Sequence, residues 1–269
     1  MPPKIIESAE MPKAGGVCIL GMHRSGTSVL TRILNLLGMS LGPENKLAGG
    51  CAKDGQPKGY WENVEIIALN NAILERYGGN WFQPPIFPPR WETSATLNDL
   101  KERGRSLLKD TFRNDPLWGW KDPRTCLTLP FWQLIAPQMR YVMCFRNPVA
   151  VAQSLARRDD FSIEKSSDLW LTYERSALKY TRRSPRLMVF YEDLMDDWSR
   201  ELPRLATFLG NPSAAQRNDV REAVEAFVEQ SLRHHRISLS QMWTNSKVPL
   251  RVKALFLKQR LLRIGADRR

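Results

Sequence analysis

The stretch VCILGMHRSGTS, residues 17–28, decides how the rest of the chain is read. Val17 to Leu20 is a short β-prone apolar run, and the loop from Gly21 to Gly26 turns it into an apolar helix predicted over Val29 to Leu37. In a strand–loop–helix of this kind, successive backbone N–H groups converge at the positive end of the helix and hold a phosphate or sulfate. The glycine spacing is that of a Walker A loop, but Thr27 stands where that motif has lysine, which disfavours a nucleotide triphosphatase. The only cation inside the loop is Arg24, whose planar fork suits a tetrahedral anion. Alone, the two glycines are equally compatible with an ordinary tight βα turn.

At 269 residues the chain can bury a proper core. No apolar run approaches the ~18–20 residues of a membrane span, and residues 1–14 read as a flexible lead-in rather than a secretory signal. The four cysteines, at positions 18, 51, 126 and 144, form no C-x-x-C pair, so zinc and redox chemistry are not expected and a cytoplasmic location is. Residues 233–269 hold ten Lys or Arg against one acid, Asp267, and carry most of the formal charge of +12. Such a basic segment is either solvated or meets an anionic membrane, a nucleic acid or an anionic cofactor.

After the first helix, residues 38–58 are glycine-rich, and Asn63 is a plausible cap for a helix whose apolar positions run from Val64 to Tyr77. Glu62 sits at the mouth of that helix. Trp81, Phe82, Phe87 and Trp91 crowd a proline-rich stretch that reads as a lid or acceptor wall, or as loop packing. A polar helix over Ser94 to Phe112 leads to a second strand, Trp118 to Lys121. A third strand, Tyr141 to Phe145, ends at Arg146-Asn-Pro, which opens a helix through Arg158. A helix over about Ser167 to Tyr180 precedes a fourth strand, Leu187 to Tyr191, and helices continue to about residue 232.

Short apolar strands separated by helices predict an α/β fold: a P-loop-like, doubly wound parallel sheet of four to five strands flanked by helices. The domain is expected over residues 15–232, with residues 38–112 on the acceptor side and residues 233–269 as a basic C-terminal segment. Arg24, Lys121, Arg146 and Tyr191 all fall at or just beyond strand ends, where open parallel sheets bind their ligands.

GMHRSGTS, KDPRT, FRNPVAVAQSLARR and FYEDL together resemble the sulfotransferases that use 3′-phosphoadenosine 5′-phosphosulfate (PAPS), over about residues 15 to 210. The likeness is to the bacterial carbohydrate and small-molecule type, and R-S-G-T and K-D-P are also similar to tyrosylprotein sulfotransferases. The resemblance implies that Arg24, Ser25, Gly26, Thr27 and Ser28 surround the 5′-phosphosulfate. It also implies that Arg146 and Ser154 hold the 3′-phosphate and that Tyr191 lies near the adenine, with no metal required. An arginine at a strand end and a hydroxyl two turns along the next helix suit a dianion that ATP does not have.

Two family features have no counterpart. Lys121 is followed by Asp122 and Pro123, so the basic histidine of the cytosolic members is absent, and the C-terminal Arg-Lys-Gly cofactor motif has no clear match, although Lys247 or Arg251 to Lys253 could supply cations. The attacking alcohol still needs a base, and Glu62, Asp122 and His23 are the candidates. Asp122 before Pro123 is more simply a helix cap. Glu62 occupies the place of the carboxylate base of tyrosylprotein sulfotransferases, and it is expected to be catalytic together with Arg24 and Lys121.

The expected activity is sulfuryl transfer from PAPS, with PAP (adenosine 3′,5′-bisphosphate) as product, to a hydroxyl or amine of a carbohydrate, lipid or small-molecule acceptor. A kinase using RLMVFYED as a Walker B strand is the alternative enzyme, and a non-catalytic nucleotide- or nucleic-acid-binding protein is the alternative binder. The basic segment is expected to reach an anionic membrane surface sooner than nucleic acid.

Overall fold

The computed structural model describes residues 15–49, 59–231 and 237–267. Four parallel strands form one sheet: β1 (Val17–Leu20), β2 (Gly119–Lys121), β3 (Arg140–Phe145) and β4 (Arg186–Phe190), in the order β2-β1-β3-β4. The register pairs Val17 with both Gly119 and Arg140, and Tyr141 with Arg186, so all four carboxyl ends emerge on one edge. The chain leaves β1 for β2 on one side and returns to β3 on the other, which opens a crevice between the ends of β1 and β3.

Both faces of the sheet are covered, so the strands read as continuous apolar runs rather than alternating ones. Val17, Ile19, Val142 and Cys144 pack against α1 (Thr27–Leu36), α8 (Trp198–Leu209) and α9 (Asn218–Ser231). Cys18, Leu20, Tyr141, Met143 and Phe145 face the other layer. That layer is built from α2 (Val64–Arg76), α3 (Asn98–Phe112), α4 (Thr125–Ile135), α5 (Pro148–Asp159) and α6 (Ile163–Tyr180).

Caps explain most boundaries. Asn63 Oδ1 accepts from the N–H groups of Glu65 and Ile66, which starts α2 where its sequence suggested. Asn147 caps α5 by accepting from Val149 N–H, with Pro148 at the first helical position. Ser162 accepts from Lys165 N–H and starts α6 about a turn before the periodicity alone indicated. Ser94 caps a single 3₁₀ turn ahead of α3, rather than α3 itself. Tyr191 is not the end of β4 but the first residue of a short helix, α7 (Tyr191–Asp196).

The basic segment, in its described part, is two helices joined to the core: α10 (Leu239–Thr244) and α11 (Leu250–Asp267). Val252 and Phe256 are buried, and the Phe256 ring lies 5.5 Å from Phe190 and 6.4 Å from Trp170. Arg260 pairs with Asp193, and Arg263 with Asp193 and Glu201. Lys253 donates to the carbonyls of Trp243 and Asn245, and Arg251 pairs with Asp168, so both are already engaged within the protein.

Candidate active site

The loop after β1 has the backbone geometry that can cradle an anion. Arg24 and Gly26 have φ of +68° and +85°, and this left-handed pair turns the chain sharply into α1. Holding a non-glycine residue there costs on the order of 1–3 kcal/mol, and strain of this kind gathers at ligand sites. No side chain caps α1 and no acid lies in its first turn, so its N-terminal N–H groups and partial positive charge are left for an external anion. Ser25 Oγ is buried with no hydrogen-bond partner among the described residues. A buried hydroxyl left unpaired costs about 1–3 kcal/mol, which a ligand oxygen would recover.

The two residues expected at the 3′-phosphate, Arg146 and Ser154, both contact Arg24 of the loop across the β1–β3 crevice. Arg24 Nε donates to Ser154 Oγ at 2.8 Å, and Arg146 Nη1 donates to the Arg24 carbonyl at 2.8 Å. The Arg146 guanidinium lies 4.4 Å from the centre of the Tyr191 ring, and that ring presses on Gly26 so closely that a Cβ there would stand 2.1 Å from Tyr191 Cδ2. Gly26 is therefore required twice, for its φ and for the ring. Tyr191 braces Arg146 by a cation–π contact.

On the other flank, Lys121 at the end of β2 is buried and donates to Glu62 Oε1 at 2.5 Å and to Ser28 Oγ at 3.2 Å. Ser28 in turn donates to the Tyr60 carbonyl at 3.3 Å. Glu62 precedes the cap of α2, so it is not a first-turn acid serving the helix dipole. Trp61, at φ +57°, turns the chain into Glu62, and Ala48 N–H donates to the Glu62 carbonyl at 2.7 Å. Burial raises the Glu62 carboxyl above its ordinary range, and the Lys121 charge works against that rise.

The other two base candidates are placed differently. Asp122 is wholly buried and spent: it accepts from Asn70 Nδ2, from Arg124 N–H and from Arg124 Nη1. It braces the turn into α4, with no face left for a substrate. His23 sits 4.6 Å from the Trp81 ring and 6.0 Å from Tyr173, with a buried, unpartnered Nε2. Burial, reinforced by Arg124, Arg158, Lys121 and Arg24, pushes it well below the ordinary histidine value and keeps it neutral.

The aromatic stretch divides. Phe87 stacks on Trp91 at 4.1 Å and packs with Tyr77, as a loop held down by its own side chains. Trp81 reaches the site, held by Tyr173 Oη donating to its carbonyl at 2.7 Å and by Arg158 over its ring at 5.3 Å. Of the acids after β4, Glu192 accepts from Asn147 N–H through Oε1 while its Oε2 is buried with no partner among the described residues, and Asp193 pairs with α11.

Sequence reasoning missed one group. Glu174 of α6 lies wholly buried beneath the loop, where Oε1 accepts from Met22 N–H at 3.1 Å and Oε2 has no partner among the described residues. Burial pushes its pKa up to about 8, opposed by the Met22 N–H. The signal was a carboxylate on the apolar stripe Trp170, Tyr173, Ala177.

Comparison with known proteins bears on the family and the fold. The model of a family described as the sulfotransferase family matches residues 16–215. A sulfotransferase from Mycobacterium avium is similar in structure, with a TM-score of 0.52, 12% identity, and 94% of this chain and 77% of that one covered. The sulfotransferase domain of the Synechococcus PCC 7002 olefin synthase gives a TM-score of 0.52 at 19% identity, with 94% and 98% covered. At these identities the likeness speaks for the fold. No curated protein matches the sequence.

Proposed function

The chain belongs to the sulfotransferase family, and from that premise we propose that it moves a sulfuryl group from PAPS to a hydroxyl of a carbohydrate, lipid or other small-molecule acceptor. The observation that carries the donor assignment is the union of Arg24, Ser154 and Arg146 beside an uncapped helix start. It provides two guanidinium groups and a hydroxyl for phosphate oxygens, and the unpaired Ser25 hydroxyl fits a further anionic oxygen. PAPS, when bound, supplies the activated sulfuryl group. Arg24, Ser25, Gly26, Thr27 and Ser28 would hold its 5′ end and Arg146 and Ser154 its 3′-phosphate, with Tyr191 on the nucleoside side.

Lys121 and Glu62 supply the chemistry from the protein. Glu62 Oε1 takes the proton of the acceptor hydroxyl, and its burial lifts its basicity toward that task. Once protonated, Glu62 no longer neutralises Lys121, whose charge is then free to act at the anion loop through its contact with Ser28. Neutral His23 and Trp81 form the acceptor wall, an apolar face with one hydrogen-bonding nitrogen that suits a sugar ring or a flat alcohol. In-line transfer of this kind depends on positioning and charge, and the residues named supply both without a metal.

The test is ligand preference followed by turnover. PAP is expected to raise the melting temperature well above the shift given by ATP with magnesium, because Arg146 and Ser154 read the 3′-phosphate. Labelled PAPS offered with a panel of alcohols then identifies the acceptor. An equal or larger shift with ATP would overturn the donor assignment.

A further inference from the structure

The described chain has eight exposed large apolar side chains, and five of them lie between residues 239 and 262: Leu239, Trp243, Leu250, Leu261 and Leu262. Leu250 is 64% exposed, Leu261 69% and Leu262 54%. At about 100° per residue, Leu250, Ala254 and Leu261 fall within roughly 40° of one another on α11, and Lys258, Arg251 and Leu262 occupy about the next 80°. The opposite face, Val252, Phe256, Gln259 and Arg263, is buried against the core. The outward arc therefore carries leucines and cations with no acid, and the sequence from Ile237 to Ala266 contains no Asp or Glu.

We propose that the outward face of α11, with Trp243 of α10 beside it, is a docking surface that lies in the plane of an anionic lipid membrane. A helix that lies in an interface combines exposed leucines, a tryptophan and flanking lysines or arginines in this way. Charge complementarity selects the occupant. Lys247 and Lys258 make no ion pair among the described residues, and Arg251 is paired only at the surface, where such pairs are weak. A second copy of the chain would set these cations against their own kind. A nucleic acid would engage the cations but leave the leucines in water. The inward cations Arg260 and Arg263 are spent on Asp193 and Glu201, which fixes the orientation of α11 on the catalytic domain. No described helix is long and apolar enough to cross a membrane, so the contact is one of lying on a surface.

Co-sedimentation of the full chain with phosphatidylcholine vesicles, with and without phosphatidylserine, tests this directly. Binding is expected only with phosphatidylserine and is expected to weaken with salt. The double substitution Leu261→Gln with Leu262→Gln is expected to lower vesicle binding about tenfold, with the PAP-induced melting shift unchanged. Lys247→Glu with Lys258→Glu should lower it as well. Equal binding to both vesicles would overturn the proposal, and so would undiminished binding of the leucine variant. Dissociation of a wild-type dimer by that variant, seen by light scattering, would assign the face to a second copy. Oligonucleotide binding that matches vesicle binding and ignores the leucines would assign it to nucleic acid.

Discussion

Glu174→Gln is the most informative single perturbation beneath the donor loop. The amide oxygen can still accept from Met22 N–H, so the loop keeps its support while the titrating carboxyl is removed. The folded-state pKa of about 8 stands above the ordinary 4.5. The favourable contribution of the protonated carboxyl is therefore complete below about pH 4.5 and is lost as pH rises toward 8. Across that window wild type should lose stability relative to the variant by up to about 1.4 kcal/mol per pH unit, reaching an upper limit of about 5 kcal/mol. That is comparable with the whole stability of many domains, about 5–15 kcal/mol. Urea midpoints for both proteins, measured from pH 5 to pH 9, give the difference directly, since the titrations of the other groups largely cancel. PAP affinity supplies a second readout, because an ionised carboxylate under the loop repels the bound anion and the variant has none. A stability difference that stays flat between pH 5 and pH 8 would refute the reasoning.

Glu62→Gln should lower kcat about 100-fold or more while leaving the PAP melting shift in place, and near wild-type turnover would move the base to His23. Arg146→Ala should weaken PAP by about 10- to 150-fold, the cost of a charge-assisted bond, and change the affinity for adenosine 5′-phosphate far less; calorimetry with both ligands separates the two. Trp81→Ala should raise the acceptor KM without altering donor binding, and a change confined to donor affinity would remove Trp81 from the acceptor wall. Truncation at residue 237 should lower the melting temperature sharply, because it uncovers Phe190 and Trp170 where Phe256 packs.

The sheet and the anion loop were legible because each rests on local signals. An apolar run, two glycines and an apolar helix stand within twenty residues, and β1 and most of β3 are buried on both faces and so read as short apolar runs. Cap residues such as Asn63 and Asn147 likewise act within one turn of their own position. What local pattern could not supply is pairing at a distance. Glu62 meets Lys121 across 59 positions because the chain after α1 folds back and pairs Leu47 with Asn63 in an isolated bridge, and no periodicity encodes that return. Residues 233–269 read as a tail because their cations dominate the composition. Yet Val252, Phe256, Gln259 and Arg263 recur at helical spacing among those cations, and they bury one face of α11 while leaving the others outside. Composition averaged the two faces together; only the angle around the helix separates them. The same averaging hid Glu174, a single carboxylate on an apolar stripe. The acids that sequence reasoning chose were those beside recognisable loops. Glu174 lies beneath the loop instead, where burial raises its pKa against the opposing Met22 N–H.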